Sequence, residues 1–249
     1  MIFLNKKFIY GETKELSYSF PSYNNQDIVK RNLNSVFFQS YNQFDIVYVD
    51  DASTDRTQDV VKDMLKKNRG TLIANQCRLG AMENIYQIVS QVPKDTIVVL
   101  VDGDDWLAHE GVLERLNEVY SSEDVWLTYG QYMNYPSYKK GLILPANIPT
   151  LRQDQWALSH LKTFYAGLFH KIDKKDLQIE GSFVQVASDV AFMTPMVEMA
   201  GERTRQIDEI LYVYNCENPL SDERLVGEKQ LEVTNIIRNR QPYLPLERF

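Results

Sequence analysis

Two short runs of apolar and β-branched residues each end directly in a cluster of carboxylates. Residues 44–49 lead into Asp50 and Asp51, and residues 96–101 lead into Asp-Gly-Asp-Asp at 102–105, called the DGDD turn below. Such runs are typical of parallel strands that are covered on both faces of the sheet. Ligands of open α/β sheets bind at the carboxyl ends of the strands, so the two clusters predict a binding site at that edge.

The first part of the chain alternates predicted strands with predicted amphipathic helices. The strands are predicted at residues 7–12 (a strand or hairpin), 16–20, 44–49, 71–74, 96–101 and 125–129. Apolar residues at helical spacing, such as Val29, Leu33 and Val36, predict helices between most of them. Repeated strand–helix units of this kind predict an α/β fold with a mostly parallel central sheet, flanked by helices and joined by right-handed crossovers.

The second half of the chain is less regular. Residues 132–150 are predicted to form a long loop, and the remaining predicted elements are helices at 153–161, 189–199 and 221–240 and a strand at 210–214. We expect one domain over residues 1–249, in which residues 16–130 hold the predicted binding site and residues 131–249 form a second half that shapes it. Residues 225–249 either pack back on this domain or form a dimer contact, so homodimer formation is one of the two alternatives.

Composition argues against several classes of protein. The formal net charge of −7 argues against nucleic-acid binding, and part of it lies in the two acidic clusters. Cys77 and Cys216 are predicted to be free thiols. Residues 1–10 lack the apolar core of a signal peptide, and no run of about 18 apolar residues is present. We therefore expect a soluble cytoplasmic protein without a transmembrane segment.

The DGDD turn has the chemistry of a metal site. Asp102 and Asp104 are two residues apart at a strand end, so their side chains point to the same side if the extended backbone continues. Gly103 between them allows a ligand to approach the backbone closely. An all-oxygen site completed by phosphate oxygens suits Mg²⁺ or Mn²⁺. The alternative is a surface turn whose acids only cap the next helix.

Four segments together resemble the family 2 glycosyltransferases of the GT-A fold. They are residues 20–25 (FPSYNN), 34–41 (NSVFFQSY), 49–55 (VDDASTD) and 101–105 (VDGDD), in that order and spacing. The resemblance covers residues 16–130, roughly half of the chain. It implies that the partner is a nucleoside-diphosphate sugar.

The resemblance also implies a role for each matched residue. The residues at nucleotide-binding positions are Pro21, Ser22, Tyr23, Asn24, Asp50, Asp51, Asp102 and Gly103. Tyr23 would stack on the base, Asp51 would accept a hydrogen bond from a base edge such as that of uracil, and Asp50 would support this turn. Many members also carry an Ala-Arg-Asn triplet where this chain has Met-Glu-Asn at 82–84. Arg78 either replaces the missing cation or faces solvent.

Metal binding and catalysis follow from the same resemblance. Asp104 would be the metal ligand, with Asp102 beside the metal or the ribose. His170 would be a further ligand, because relatives sometimes supply a late histidine, although a lone histidine is more often structural. Asp189 matches the acid that deprotonates the acceptor hydroxyl, and the alternative is that it only caps its helix.

These roles predict a metal-dependent, inverting glycosyltransferase. It would transfer one sugar per event from a nucleoside-diphosphate sugar, foremost a UDP-sugar, to a hydroxyl of a glycan, a lipid-linked carrier or a protein. One alternative is a nucleotidyltransferase, which normally needs a glycine-rich basic loop that residues 21–25 lack. The other is a non-catalytic nucleotide-binding protein on the same fold. A Rossmann oxidoreductase is disfavoured because no G-x-G-x-x-G follows a predicted strand.

Overall fold

The fold is described from a computed structural model, which covers residues 2–5, 19–68, 70–141, 143, 145–219 and 227–249. The strands of this part of the chain are β1 (Ile2–Asn5), β2 (Ser19–Ser22), β3 (Phe44–Asp50), β4 (Thr71–Ala74), β5 (Thr96–Leu100), β6 (Trp106–Leu107), β7 (Leu127–Tyr135), β8 (Lys162–Tyr165), β9 (Gln178–Ile179), β10 (Ser182–Phe183) and β11 (Thr204–Asn215). The α-helices are α1 (Val29–Phe37), α2 (Thr57–Leu65), α3 (Ala81–Val89), α4 (Val112–Ser122), α5 (Ala166–Phe169), α6 (Ser188–Ala200) and α7 (Gly227–Arg238).

The described strands build one large mixed sheet and one small hairpin. The sheet has the order β2-β3-β1-β5-β8-β7-β11-β6, with β4 paired to β3, and the hairpin pairs β9 with β10. β3 and β5 run in the same direction, but β1 lies between them and is antiparallel to both. β8 likewise separates β5 from β7 and is antiparallel to both. The predicted α/β class is confirmed, and the inserted antiparallel strands make the sheet mixed.

The α/β pattern of the first half is confirmed by the helices as well as by the strands. Each helix buries the apolar stripe that its sequence predicts. In α1 these residues include Val29, Leu33 and Val36, which are almost completely buried. β5 is buried along its whole length, as expected for a strand covered on both faces. This core holds the carboxyl ends of β3 and β5 in fixed positions, which is where the acidic clusters lie.

Two predictions for the second half are wrong. The predicted helix at 153–161 is irregular, and the next residues form β8 instead. The buried Leu158 and Leu161 have helical spacing, but the chain there leads into a central strand whose backbone bonds to both β5 and β7. The prediction of a loop at 132–150 is also wrong for its first residues, 132–135. β7 continues to Tyr135 because it pairs with β11 beyond the predicted strand end.

Other predictions for this half are confirmed or fall outside the described residues. The helix predicted at 189–199 is α6, which ends at Gly201 with a positive φ of 56°. The strand predicted at 210–214 is the second half of β11, and the C-terminal helix is α7. The predicted elements at 7–12 and 16–18, and the helix start at Ser221, lie outside the described residues.

The segment after α7 packs back on the domain. The backbone N–H of Leu246 donates to the carbonyl of Met199 at 2.9 Å. The ring of Phe249 lies against Trp126 and Tyr165, with centroids 4.7 and 5.5 Å apart. The first of the two alternatives for this segment therefore holds for residues 239–249. Within the described part of the chain, no helix combines the length and apolarity needed to cross a membrane.

Candidate active site

The loops after β2 and β3 are joined by side chains that the first sequence motif supplies. Asn24 accepts a hydrogen bond from the backbone N–H of Thr54 at 2.8 Å, and its own N–H donates to the hydroxyl of Ser53 at 3.0 Å. Asn24 holds a positive φ of 52°, a conformation that asparagine tolerates better than most residues. The Pro-Ser-Tyr-Asn segment is thereby fixed beside the Asp-Asp cluster.

Asp51 is buried, and its carboxylate is the centre of a hydrogen-bond network. It accepts from the side chains of Asn75 and Asn84 at 2.8 and 3.0 Å, and from the N–H groups of Leu79 and Gly80, both at 3.0 Å. Burial raises the pKa of Asp51, but these hydrogen bonds outweigh it and hold the pKa below its ordinary value. Asp51 therefore fixes the 79–80 turn and the start of α3, and its contact with a base stays a prediction.

Arg78 connects the two residues to which base binding is assigned. Its guanidinium carbon lies 3.7 Å from the centre of the Tyr23 ring, and its Nε lies 3.4 Å from Oδ2 of Asp51. The Arg78 side chain is 57% exposed. It thus combines a partly solvent-facing position with contacts to Tyr23 and Asp51, and its replacement of the missing cation stays a prediction.

Ser22 and Asp50 are buried residues that lie between the two acidic clusters. A Cβ atom on Gly103 would lie only 2.6 Å from the Cβ of Ser22, so the DGDD turn can approach β2 only with glycine there. Asp50 is buried and accepts from the N–H of Ser53 at 3.1 Å and from the Gln58 amide at 3.2 Å. Its other oxygen, Oδ1, is buried and has no hydrogen-bond partner among the described residues. The supporting role expected of Asp50 agrees with these contacts.

The DGDD turn is anchored from α1 and from β11. The side-chain amide of the buried Asn32 donates to the carbonyls of Asp102 and Asp105 at 2.8 and 2.7 Å. The Tyr212 hydroxyl accepts from the N–H of Asp102 at 3.1 Å and donates to Asp105 at 2.7 Å. Asp105 also accepts from the N–H of Asn215 at 2.7 Å. Asp105 is thus a structural acid that holds the turn in place.

Asp102 and Asp104 keep carboxylate oxygens available to a ligand. Within the described residues, the Asp102 carboxylate accepts no hydrogen bond, and Asp104 accepts one, from the amide of Asn218 at 2.6 Å. Burial raises the pKa of Asp102 to about 6, with Asp104 and Asp189 adding to it while Lys162 opposes it. Burial also raises the pKa of Asp104. Two crowded carboxylates with free oxygens fit a hard divalent cation such as Mg²⁺ or Mn²⁺.

His160, and not His170, lies beside the DGDD turn. The Nε2 of His170 is 2.7 Å from the carbonyl of Val89 at the end of α3, which corrects the prediction that His170 reaches the metal. His160 stacks on Tyr212 with ring centroids 4.4 Å apart, and its Nδ1 lies 3.9 Å from Asp102. Burial and the nearby Lys162 charge lower the pKa of His160 well below its ordinary value, so it is neutral at neutral pH. Asp102, Asp105 and His160 lie close enough to share a cation.

Asp189 lies in the first turn of α6, facing the same cleft. The residue before the helix is Ala187, in the left-handed conformation with φ 54°, and Asp189 itself does not occupy the N-cap position. Its Oδ1 accepts from the N–H of Val190 at 2.9 Å. Its Oδ2 lies 3.7 Å from the Nζ of Lys162 on β8, and its side chain is 31% exposed. The carboxylate is therefore partly accessible to a ligand.

The sequence match that decides the family covers most of this structure. A family model described as "Glycosyl transferase family 2" matches residues 19–177, more than half of the chain. The chain belongs to glycosyltransferase family 2. The match includes β2, the Asp-Asp cluster and the DGDD turn, so the family and the enzyme class expected from the motifs are confirmed.

Curated relatives of this family 2 domain are glycosyltransferases from bacteria. An uncharacterised glycosyltransferase of Nostoc sp. is 31% identical over 116 residues, which are 45% of this chain and 34% of that protein. The glycosyltransferase GlyG of Streptococcus pneumoniae is 24% identical over 115 residues, 46% of this chain and 38% of that protein. The uncharacterised glycosyltransferase EpsJ of Bacillus subtilis is 22% identical over 212 residues, 81% and 60% of the two chains. The chain thus spans only part of the length of these relatives.

Solved structures confirm the GT-A fold. TarS of S. aureus, in complex with UDP-GlcNAc, superposes with a TM-score of 0.70 at 18% identity, covering 90% of this chain and 65% of that one. The mannosyltransferase PcManGT of Pyrobaculum calidifontis, in complex with GDP-Man and Mn²⁺, gives a TM-score of 0.62 at 17% identity, covering 90% and 64%. At these identities the likeness shows the fold of the family 2 domain and not its donor.

Several residues that lie in the site of this family 2 domain were not predicted from the sequence. The predicted helix at 153–161 placed His160 at a helix end and Lys162 just beyond it, so their position beside β5 was missed. A lysine inside the run Leu161 to Tyr165, which is otherwise rich in aromatic and β-branched residues, was the available sign of a buried strand with a functional charge. Asn32 and Tyr212 are distant in sequence from the turn they anchor, and no local pattern marks them.

Proposed function

We propose that this family 2 domain is a metal-dependent, inverting glycosyltransferase that uses a nucleoside-diphosphate sugar, foremost a UDP-sugar. It would transfer one sugar to a hydroxyl group of a glycan, a lipid-linked carrier or a protein. The observation that carries this proposal is the position of Asp189. It faces the DGDD turn closely enough to affect the pKa of Asp102, from an element that lies outside the donor-binding half.

The donor would lie along the edge formed by β2, β3 and β5. Tyr23 would stack on the base, and Arg78 would form the outer wall of this pocket. Pro21, Ser22 and Asn24 would shape the loop that borders the ribose. The diphosphate would reach the DGDD turn, whose Gly103 packs tightly against Ser22 of β2. The carboxylates of Asp102 and Asp104 would hold a divalent cation, which would bind the diphosphate oxygens and stabilise the charge of the leaving group.

The residues of the chain then account for a single displacement. Asp189 would accept the proton of the acceptor hydroxyl as that oxygen bonds to the anomeric carbon. The bond between this carbon and the diphosphate oxygen breaks, and the diphosphate leaves with the electron pair. Because the acceptor attacks opposite the leaving group, the configuration at the anomeric carbon inverts. One acid on the acceptor side is sufficient, since the diphosphate leaves without a protein acid.

The test is release of nucleoside diphosphate from a panel of UDP-, GDP- and dTDP-sugars with Mn²⁺, Mg²⁺ or EDTA. We expect release from one donor that depends on the cation. The Asp104→Ala variant should lose at least about a hundredfold in turnover, because a carboxylate at the site of charge development is removed. Asp63→Ala removes an exposed acid on α2 and is the matched control.

Three results would contradict parts of the proposal. Full activity of the Asp104→Ala variant would exclude its metal role, and full activity of Asp189→Asn would exclude its role as the base. Binding of UDP and Mn²⁺ without turnover of any donor, even with hydroxyl acceptors present, would favour a nucleotide-binding protein on the same fold.

A further inference from the structure

Lys162 is a buried cation in a site that otherwise collects acids. It opens β8, where its backbone pairs with Leu100, two residues before Asp102. Its side chain is only 8% exposed. Lysine is almost never buried to this extent without a charged partner, because removing an ammonium from water is costly. The charged partner of Lys162 therefore indicates the role of this side chain.

The partner of Lys162 is Asp189. Their Nζ and Oδ2 atoms are 3.7 Å apart, and this is the ion pair that Lys162 makes within the described residues. The N–H of Val190 holds the other oxygen, Oδ1, at 2.9 Å. The two contacts leave the Asp189 carboxylate little freedom to rotate. One oxygen is fixed by its own helix and the other faces a positive charge from the sheet.

The other titratable groups of the site near this pair are acids or a neutral histidine. The acids of the DGDD turn, Asp102 and Asp104, lie on one side, and the electrostatic coupling between Asp102 and Asp189 is repulsive. His160, the remaining titratable group beside Lys162, is neutral at neutral pH and cannot offset them. Lys162 is thus the cation that the described residues place between the two sets of acids.

We propose that Lys162 is a positioning residue that holds the Asp189 carboxylate in place, directed at the acceptor hydroxyl. This rests on the proposed function, in which Asp189 is the base. Lys162 would act on the acceptor side through its ion pair with Asp189. Its charge also lowers the pKa of Asp102, so binding of the cation and nucleotide is measured separately from turnover.

The decisive measurement follows the position of the Asp189 side chain and needs no substrate. Crystal structures of the wild type and of the Lys162→Met variant are compared. In Lys162→Met the Asp189 carboxylate should leave its wild-type rotamer, because the charge that faces Oδ2 is gone. Lys162→Arg keeps the charge and should restore the wild-type rotamer. An unchanged Asp189 side chain in Lys162→Met would overturn the proposal.

Binding and activity separate positioning from donor contact. The affinity for UDP with Mn²⁺ should change less than threefold in Lys162→Met, whereas a loss above tenfold would show that Lys162 binds the diphosphate and would overturn the proposal. With the donor found by the panel, kcat should fall at least about tenfold in Lys162→Met, because a displaced base is no longer aligned with the acceptor hydroxyl, and Lys162→Arg should restore most of it. Lys162→Met should also cost little further activity in an Asp189→Asn background.

The two hypotheses fail in different ways. If Asp189→Asn keeps full turnover, the base role is wrong while a displaced Asp189 side chain in Lys162→Met still shows the contact. If the Asp189 side chain does not move in Lys162→Met, the inference is wrong while the wild-type turnover stands. Should Lys162→Met not fold, Lys162→Gln and Lys162→Arg are compared in the same way.

Discussion

Neighbouring acids of the two strand ends have different tasks because their surroundings differ. Asp51 and Asp105 each accept two or more hydrogen bonds from N–H and side-chain donors of the chain itself, and hold loops together. Asp102 and Asp104 lie within a few residues of Asp105, but they leave oxygens free. The same residue type is thus structural where N–H and amide donors converge on it, and available to ligands where they do not.

The raised pKa of Asp102 predicts that the fold without metal is more stable in mild acid. The pKa of about 6 lies above the ordinary 3.8. The folded state therefore binds this proton more tightly than the unfolded state, and its contribution to stability is lost as the pH rises through about 6. In EDTA, the midpoint of thermal unfolding should be a few degrees higher at pH 5 than at pH 7.5, since 1 kcal/mol moves it by roughly 2–4 °C.

A divalent cation should reverse this trend. Mn²⁺ competes with protons for the same oxygens, so it should raise the unfolding midpoint more at pH 7.5 than at pH 5. Asp102→Asn should reduce both the pH dependence and the effect of Mn²⁺. If the midpoint in EDTA rises steadily from pH 5 to pH 7.5, the assigned pKa of Asp102 is wrong.

At the scale of secondary structure, α1 contributes to the site without touching a ligand. It is the helix that carries Asn32 to the carbonyls of the DGDD turn. These bonds join the first crossover helix to the end of β5, so the metal site depends on how α1 packs against the sheet. The buried apolar face of α1 sets that packing.

Replacing Asn32 with leucine should loosen the turn while keeping the branched shape of the side chain, although leucine is larger. Two carbonyls lose their donor, which should lower the free energy of unfolding by about 1–3 kcal/mol. Positioning groups of this kind typically matter for metal sites, so the affinity for Mn²⁺ with UDP should fall roughly tenfold. Calorimetric titration and urea unfolding measure both effects. Asn34→Ala, on the exposed face of the same helix, is the control and should match wild type.

The elements that could be predicted from the sequence are those whose signal is local. Strands β3 and β5 are continuous apolar runs, and helices such as α1 have a clear apolar stripe. The type of each of these elements, strand or helix, and its approximate position could therefore be predicted from the residues alone. β8 could not be predicted, because its four residues become a strand only by lying between β5 and β7. The acids of the site came from motifs, whereas Asn32, Lys162 and Tyr212 reach it through tertiary packing.

At the scale of the whole molecule, a buried ion pair ties the C-terminal segment to the core. Arg152 and Glu198 are 11% and 7% exposed and pair through two hydrogen bonds, of 2.5 and 2.8 Å. Arg152 also donates to the carbonyl of Ile237 at the end of α7, and Glu198 accepts from the N–H of Tyr243 at 3.0 Å. The pair thereby joins α6, α7 and the segment that follows.

Removing one partner of this pair should destabilise the whole domain. Glu198→Ala leaves the Arg152 guanidinium buried without a counter-charge, which should cost about 3–5 kcal/mol in urea unfolding. The double variant Arg152→Met with Glu198→Met should recover much of this loss, because no unpaired charge remains. Glu209→Ala breaks the more exposed pair with Arg115 and should cost less than about 1 kcal/mol. A loss for Glu198→Ala no larger than that of Glu209→Ala would refute the structural role of the pair.

The anchoring of the DGDD turn also bears on how fast a ligand can bind. Asn32 and Tyr212 hold the backbone at both ends of the turn before any ligand arrives. Association with a cation–nucleotide complex should then need no slow rearrangement of this segment. In a stopped-flow experiment the observed rate would increase linearly with ligand concentration, without the plateau that a preceding conformational step imposes.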